Sequence, residues 1–407
     1  MSSSRTLLAA IADDYTGGSD MAGMLASQGV RTLQTFGQPD EETIHAAAGF
    51  DALIVSLKTR SIKPSEAVAQ SIVALGSLGS LEPRQIQFKY CSTFDSTREG
   101  NIGPVASALM DALGTGFTIA VPALPINGRT QYLGYLFVNG VLLSESPLRH
   151  HPLNPMNEAN LVRHLQVQTT REVGLIDLQS VRGGQSESDS EIALVDAIED
   201  RDLTRIANAY WNLRFLTGAS GITHALPSVW RERNLWSPQP PVPMRAADNA
   251  KALLIAGSCS AATLRQIEHW TGTKETMRTN VLDDNEVGRL VDVCERAWKS
   301  TDAILLYSSA PPNERISQLS SAIERAWSQV AQALAGSYGT LVVAGGETSG
   351  AVVEALGIRS VQIGVEIDPG VPALSSTSGP RLSLALKSGN FGSPDFFAKA
   401  VAILSNR

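Results

Sequence analysis

The sequence is poor in cysteine, histidine clusters, basic runs and long apolar stretches, and each shortage removes a class of protein. Three cysteines, Cys91, Cys259 and Cys294, form an odd, widely spaced set without a CxxC pair, which argues against a disulfide framework and a cysteine-ligated zinc site. The adjacent histidines His150-His151 lack HExxH spacing, so they read as loop residues rather than metal ligands. The net charge is −7 and no Lys/Arg run occurs, so no nucleic-acid partner is expected, because phosphate backbones demand clustered cations. No apolar run approaches the roughly 18 residues of a membrane span, and no signal-peptide core follows Met1. The expectation is a cytoplasmic protein with no membrane partner. No GxGxxG, GxxxxGK[ST] or GxSxG motif is present, so the common dinucleotide, phosphate-loop and serine-hydrolase signatures are missing.

What is present is ordinary globular composition over 407 residues, 43% apolar and 18% charged, a length that suggests two domains. Short apolar runs recur, each followed by a polar, glycine-rich loop and then a helical pattern. Strands are expected at 6–12, 51–57, 84–90 and 116–121, and helices at 19–28, 65–78 and about 101–113. The alternation indicates α/β folding with a doubly wound, mostly parallel sheet. Two apolar runs flank Asn139-Gly140, the strongest short hairpin signal, and predict a hairpin inserted in this first domain. Residues 183–190 read as a surface loop. Four prolines in 237–249 mark a linker. The strand pattern restarts at Lys251 and continues through DAILLYSS at 302–309, a helical pattern at 314–335 and the strand before Gly345. The expected organisation is two doubly wound α/β domains, 1–236 and 250–407, joined by 237–249.

In open α/β sheets ligands bind beyond the carboxyl ends of the strands, so the loops there carry the chemistry. Asp13-Asp14 follow the first strand. One of them could accept a substrate hydroxyl proton, or both could be a solvated helix cap. Lys58-Thr59-Arg60 follow the second strand, Lys89 ends the third, and Arg129 follows the fourth after Asn127. These converging cations suit a small hydroxylated carboxylate, although each could instead be a paired surface charge. The segment from Ser92 to Gly103, with Thr93, Asp95 and Asn101, offers hydroxyls and amides to a polar ligand, or is a capped turn. In the second half, Gly257-Ser258-Cys259-Ser260 and Gly345–Gly350 each lead from a strand into a helix, a geometry that accommodates phosphate; Lys387–Gly392 adds a third glycine loop with a lysine.

Together these loops resemble the four-carbon acid sugar kinase family. The matching segments are IADDYTGGSD at 11–20, SLKTRS at 56–61, FKYCSTFDSTREGNIGP at 88–104, PALPINGRT at 122–130, AGSCS at 256–260, GGETSG at 345–350 and ALKSGNFGSPDFF at 385–397. Tyr15 and Gly18 depart from the usual residues without removing a functional group. The resemblance implies an ATP-dependent kinase of the 4-hydroxyl of 3-oxo-tetronate, using Mg²⁺, with the acid on the first domain and the nucleotide on the second. For such a reaction the expected catalytic set is Asp14, Asp95 and Lys89, with Asp14 or Asp95 orienting the hydroxyl and taking its proton. The acid falls to Asp13, Arg60, Ser92, Thr93, Asn127 and Arg129. The nucleotide falls to Ser258, Gly345, Gly346, Glu347, Thr348, Ser349 and Gly389, with Lys387 adding charge. The two domains are expected to close over the linker during turnover. The assembly to test is a homodimer. A threonate or erythronate kinase of the same family, a non-catalytic sugar-acid sensor and a dehydrogenase remain as alternatives.

Overall fold

A computed structural model describes residues 6–151, 154–185, 187–238, 249–272, 275–279, 284–308 and 320–405. The chain divides into two compact units, residues 1–240 and 241–407. Most of the proline-rich segment 237–249 lies outside the described residues, as do Pro152 and Leu153 and the first part of the helical pattern at 314–335.

The first unit contains, in chain order, β1 (Leu8–Ala12), α1 (Tyr15–Ser27), β2 (Thr32–Phe36), α2 (Glu41–Ala47), β3 (Ala52–Ser56), α3 (Pro64–Leu78), β4 (Gln85–Lys89), α4 (Ile102–Leu113), β5 (Thr118–Val121), β6 (Arg129–Tyr132), β7 (Tyr135–Val138), β8 (Val141–Leu142), α5 (Leu161–Gln166), β9 (Val173–Ile176), α6 (Leu178–Gly183), β10 (Ile192–Val195), α7 (Asp200–Ala209), β11 (Phe215–Gly218) and α8 (Ser220–Glu232). Eight of the strands pair in the order β2-β3-β1-β4-β11-β5-β10-β9, and every one of these pairings is parallel. Strands β1 to β5 are buried throughout, as expected where helices cover both faces of a parallel sheet. Ile11, Val55, Phe88, Tyr90, Phe94 and Leu109 belong to a continuous apolar core.

The expected helix from Ser19 begins earlier, at Tyr15, because Asp14 is extended and caps it by accepting from the Gly17 amide at 3.1 Å. The expected hairpin is part of a three-stranded meander, β6-β7-β8. Asn139 and Gly140 form its second turn, both with positive φ. Its first turn, Leu133-Gly134, has the same left-handed backbone and was not anticipated, since leucine carries no turn signal. Fully buried Asp196, just beyond β10, compensates by accepting from the amides of Leu133 (2.6 Å) and Gly134 (3.0 Å), from Gln131 Nε2 (3.2 Å) and from the Leu178 amide (3.2 Å).

The second unit contains β12 (Ala252–Ala256), α9 (Ala261–Thr271), β13 (Thr276–Arg278), α10 (Asp284–Ala297), β14 (Ala303–Tyr307), α11 (Ser320–Ala333), β15 (Thr340–Ala344), α12 (Gly346–Ala355), β16 (Ser360–Asp368), β17 (Val371–Ser376), β18 (Ser383–Lys387) and α13 (Phe396–Leu404). Its strands run β13-β14-β12-β15-β18-β17-β16, parallel except that β17 lies antiparallel to both of its neighbours. Trp270, Phe396 and Phe397 pack with Leu254, Leu305 and Val342 in its core. No helix among the described residues is long and apolar enough to cross a membrane.

Replacing Asp196 strands several buried donors, each costing about 1–3 kcal/mol. Asp196→Ala is expected to lower the unfolding free energy by about 2–4 kcal/mol in a denaturant titration; a loss below about 0.5 kcal/mol would contradict this anchoring role.

Candidate functional site

The register of the first sheet brings its carboxyl ends level. Ala12 pairs with Ser56 on one side and Lys89 on the other, and Gly218 pairs with both Lys89 and Val121. The chain leaves β1 toward β2 on one flank, whereas β4 lies on the opposite flank, so the connections reverse direction between β1 and β4. At such a switch point the loops diverge and open a crevice. Asp13, Asp14 and Lys89 stand there.

Strand alternation selects Lys89. Gln85, Gln87 and Lys89 share one face of β4 and are all buried. Gln85 and Gln87 spend their amides on α8 and the chain before it: Gln85 Nε2 donates to the Leu213 carbonyl and Gln87 Nε2 to that of Ala219. Lys89 is the member of the row at the edge. Its Nζ lies 3.9 Å from Asp14 Oδ1, close against α1. A Cβ added at Gly17 would stand 2.1 Å from both that ammonium and Asp14 Oδ1, so glycine is required for the approach.

Arg60 is the centre of the group. Its Nε and Nη2 grip Asp13 at 3.0 and 2.7 Å, Nη2 also reaches Asp14 Oδ1 at 2.5 Å, and Nη1 lies 3.7 Å from Asp95 Oδ2. The loop carrying it is fixed from two sides. The amides of Thr59 and Arg60 donate to the Asp13 carbonyl, and Asn101 Nδ2 donates to the carbonyls of Thr59 (2.5 Å) and Ile62 (2.9 Å). Burial pushes the Asp13 carboxyl up in pKa against the pull of Arg60. Burial also pushes Asp14 up, but Arg60, Lys89 and the Thr16 and Gly17 hydrogen bonds outweigh it and hold Asp14 down at about 2. Asp14, its side chain 24% exposed, is therefore a helix cap and an ion-paired anion at once, not the solvated cap of the simpler reading.

Asp95 follows Phe94, which is fully buried, has φ of 53° and packs edge-on between Tyr90 and His164. That aromatic stack holds a strained backbone and so sets the direction of the next side chain. Ser96 is pinned through its carbonyl by His164 Nε2 at 2.7 Å and through its hydroxyl by Gln168 Nε2 at 3.0 Å. Thr93 is buried against Cys91 Sγ at 3.0 Å, and Ser92 is half-buried beside it. His151 Nδ1 stands 3.9 Å from Asp95 Oδ1, although its sequence context suggested only a loop. Asn127 and Arg129 form a separate group beyond β5, where Arg129 Nη1 donates to the Asn127 carbonyl. Arg129 Nε is buried there with no hydrogen-bond partner.

The second unit repeats the device. Ala256, Tyr307, Ala344 and Lys387 end their strands level. The reversal falls between β12 and β15, the strands that precede Ser258 and Gly345. Both loops are stitched together: the Ser258 amide donates to Ala344 and the Gly345 amide to Lys387. Gly345 has φ of 130°, and a Cβ there would press on the Ser258 amide at 3.2 Å. Gly346 and Glu347 are exposed at the start of α12, whereas Thr348 and Ser349 are buried, with Ser349 Oγ donating to the Val343 carbonyl. The exposed groups at this helix start are therefore backbone amides rather than the buried hydroxyls of Thr348 and Ser349, an arrangement of the kind that suits an anion.

Gly389 lies against Ser258, whose Oγ would be 2.2 Å from an added Cβ, and its carbonyl accepts from Ser260 Oγ and Thr263 Oγ1. Lys387 is fully buried. Its Nζ donates to Thr263 Oγ1 (3.0 Å) and to the carbonyls of Ser388 (3.2 Å) and Gly389 (3.1 Å), and burial lowers its pKa to about 7. It clasps the glycine loop to α9 rather than extending toward solvent. No group of three or more His, Cys, Asp or Glu side chains arranged to hold a metal occurs among the described residues.

Residues 8–226 match the family described as a Sugar-binding N-terminal domain, and residues 253–397 match the one described as a Nucleotide-binding C-terminal domain. The 3-oxo-tetronate kinase of Burkholderia multivorans is 45% identical, covering 99% of this chain and 98% of that protein. The 3-oxo-tetronate kinase of Cupriavidus necator is 44% identical, covering 98% of this chain and 97% of that protein. Among solved structures, a Salmonella typhimurium protein described as a tRNA synthase superposes with a TM-score of 0.84 at 37% identity, over 97% of this chain and 98% of its own. A Haemophilus influenzae protein gives 0.79 at 34% identity, over 97% of this chain and all of its own.

An unfolded lysine keeps its proton to about 10.5, while folded Lys387 releases it near 7. Between those values the unfolded chain binds the extra proton, so stability contributed through Lys387 rises with pH. The unfolding free energy of the wild type relative to Lys387→Met is expected to increase by on the order of 2 kcal/mol from pH 7 to pH 9; a flat or falling difference would contradict the lowered pKa.

Proposed function

Because this chain belongs to the four-carbon acid sugar kinase family, we propose that it transfers the γ-phosphoryl group of ATP to the 4-hydroxyl of 3-oxo-tetronate, giving the 4-phosphate and ADP in cytoplasmic acid-sugar catabolism. The observation that carries this reading is the shared name of its relatives. Those from 45% to 37% identity, each matched over at least 96% of this chain, are called 3-oxo-tetronate kinase.

The chemistry of the loops supports the assignment. Phosphoryl transfer requires in-line positioning and neutralisation of charge more than covalent participation. The first unit takes the acid. The carboxylates of Asp13, Asp14 and Asp95 suit hydroxyl groups, Ser92 and Thr93 add hydroxyl partners, and Lys89 adds charge. Arg60 already spends its fork on Asp13 and Asp14, so it organises the carboxylates rather than gripping the acid. Arg129 Nε is a buried donor without a hydrogen-bond partner, and with Asn127 it is assigned to the substrate carboxylate. The second unit takes MgATP, the metal arriving as part of that substrate. The Gly345–Ser349 turn, Ser258 and Gly389 line the phosphates, and Lys387 holds the Gly389 loop in place.

The test is ADP release from MgATP with 3-oxo-tetronate, D-threonate and D-erythronate assayed side by side. The expected kcat/KM favours 3-oxo-tetronate by at least about tenfold. A preference for either hydroxy acid would assign the protein to that sister activity. No ADP release with any of the three would replace catalysis by sensing.

A further inference from the structure

Four side chains at the carboxyl edge of the first unit could take a proton from a substrate hydroxyl, and their hydrogen bonds separate them. Both oxygens of Asp13 are held by Arg60. Asp14 gives Oδ1 to Arg60 and Oδ2 to the Thr16 hydroxyl at 2.9 Å and the Gly17 amide at 3.1 Å. His151 Nδ1 accepts from the Asn154 amide at 3.1 Å, which uses its single lone pair and places the ring proton of the neutral form on Nε2. Asp95 differs from all three. Its Oδ2 faces Arg60 Nη1 at 3.7 Å, but its Oδ1 is buried and has no hydrogen-bond partner.

A buried carboxylate oxygen without a donor is costly unless a ligand supplies one. The nearby imidazole does not supply it. At 3.9 Å the His151 Nδ1 is too far for a hydrogen bond, and it is already an acceptor. Asn154 is itself tied down, its Nδ2 donating to Ser61 Oγ at 3.2 Å on the loop that carries Arg60. The ring is thus kept beside Asp95 in the tautomer that leaves the buried Oδ1 without a donor.

We infer that Asp95, not Asp14, is the group that receives the substrate's hydroxyl proton, and that His151 is a positioning residue for it. This assignment rests on the proposed kinase reading. In the step, the O4–H bond breaks and its proton passes to Asp95 Oδ1. O4 bonds to the γ-phosphorus as the bond from that phosphorus to the β–γ bridging oxygen breaks, and the bridging oxygen leaves with the electron pair on ADP. Asp14, held near pKa 2 with both oxygens occupied, orients the acid and keeps the α1 terminus in place.

The experiment compares the full-length wild type with Asp95→Asn, Asp14→Asn and His151→Phe by steady-state kinetics with MgATP and 3-oxo-tetronate, and by calorimetric binding of the acid to each protein. Asp95→Asn is expected to lose about 10²–10⁴-fold in kcat while binding the acid within about threefold of wild type, which also shows that it is folded. Asp14→Asn is expected to act mainly on KM. His151→Phe is expected to lower kcat by about tenfold with KM nearly unchanged. Asp95→Asn turnover within about threefold of an active wild type overturns the assignment and leaves the kinase reading standing; a larger kcat loss in Asp14→Asn than in Asp95→Asn also overturns it. An inactive wild type overturns both.

Discussion

One largely enclosed guanidinium, its side chain 20% exposed, organises the carboxyl edge of the first unit. Arg60 touches Asp13 and Asp14 directly and stands 3.7 Å from Asp95, three carboxylates that follow two different strands. Bringing these anions together where water is only partly available would be costly without a permanent, forked cation among them. Lysine could neutralise one carboxylate but could not span three. The arrangement still carries one negative charge in excess, counting Asp13, Asp14 and Asp95 against Arg60 and Lys89. Such a site favours hydroxyl donors over a further carboxylate, in keeping with the proposed assignment of the substrate carboxylate to Arg129.

The second unit uses the opposite economy of charge. Its buried cation, Lys387, has no carboxylate partner among its hydrogen bonds, only a hydroxyl and two carbonyls. Its ammonium is therefore weakly held, and its proton is released near neutrality. Around it the loops are built from backbone packed to contact distance, with Gly345 and Gly389 both against Ser258. Under the proposed function, phosphate would be met here by amides and the start of a helix rather than by side-chain charge. Each half gathers polar groups at a switch point, but one does so with side chains and the other with backbone.

The sequence reveals the strands and the loops after them because parallel strands buried on both faces must be short apolar runs, and ligand loops must follow them. That logic located Asp13, Lys89, Ser258 and Gly345 without any long-range information. It missed the start of α1, because Ser19 and Asp14 are both acceptable caps by composition and only the Gly17 contact distinguishes them. It missed the Leu133-Gly134 turn, whose left-handed leucine is imposed by Asp196 more than sixty residues away. Arg60 was legible as a cation but not as the centre of a carboxylate group, since its partners lie 46 and 47 residues distant. Lys387 read as a phosphate ligand because a lysine beside glycines is usually exposed; its burial is set by Thr263 and Phe396, which the local sequence does not announce. His151 stood in a segment with no periodicity, and only its distance from Asp95 gives it meaning.

On these contacts Arg60 holds the carboxylates of the first unit's edge together. The most direct test is calorimetric titration of Arg60→Met and Arg60→Lys with 3-oxo-tetronate and, separately, with ADP, alongside hydrogen exchange at β1 and β4 to verify that the sheet persists. Both variants should lose acid affinity by at least about 100-fold, in keeping with a lost buried charge partner, while ADP binds as in wild type and the strand amides stay protected. Acid affinity within about threefold of wild type in Arg60→Met would contradict the account.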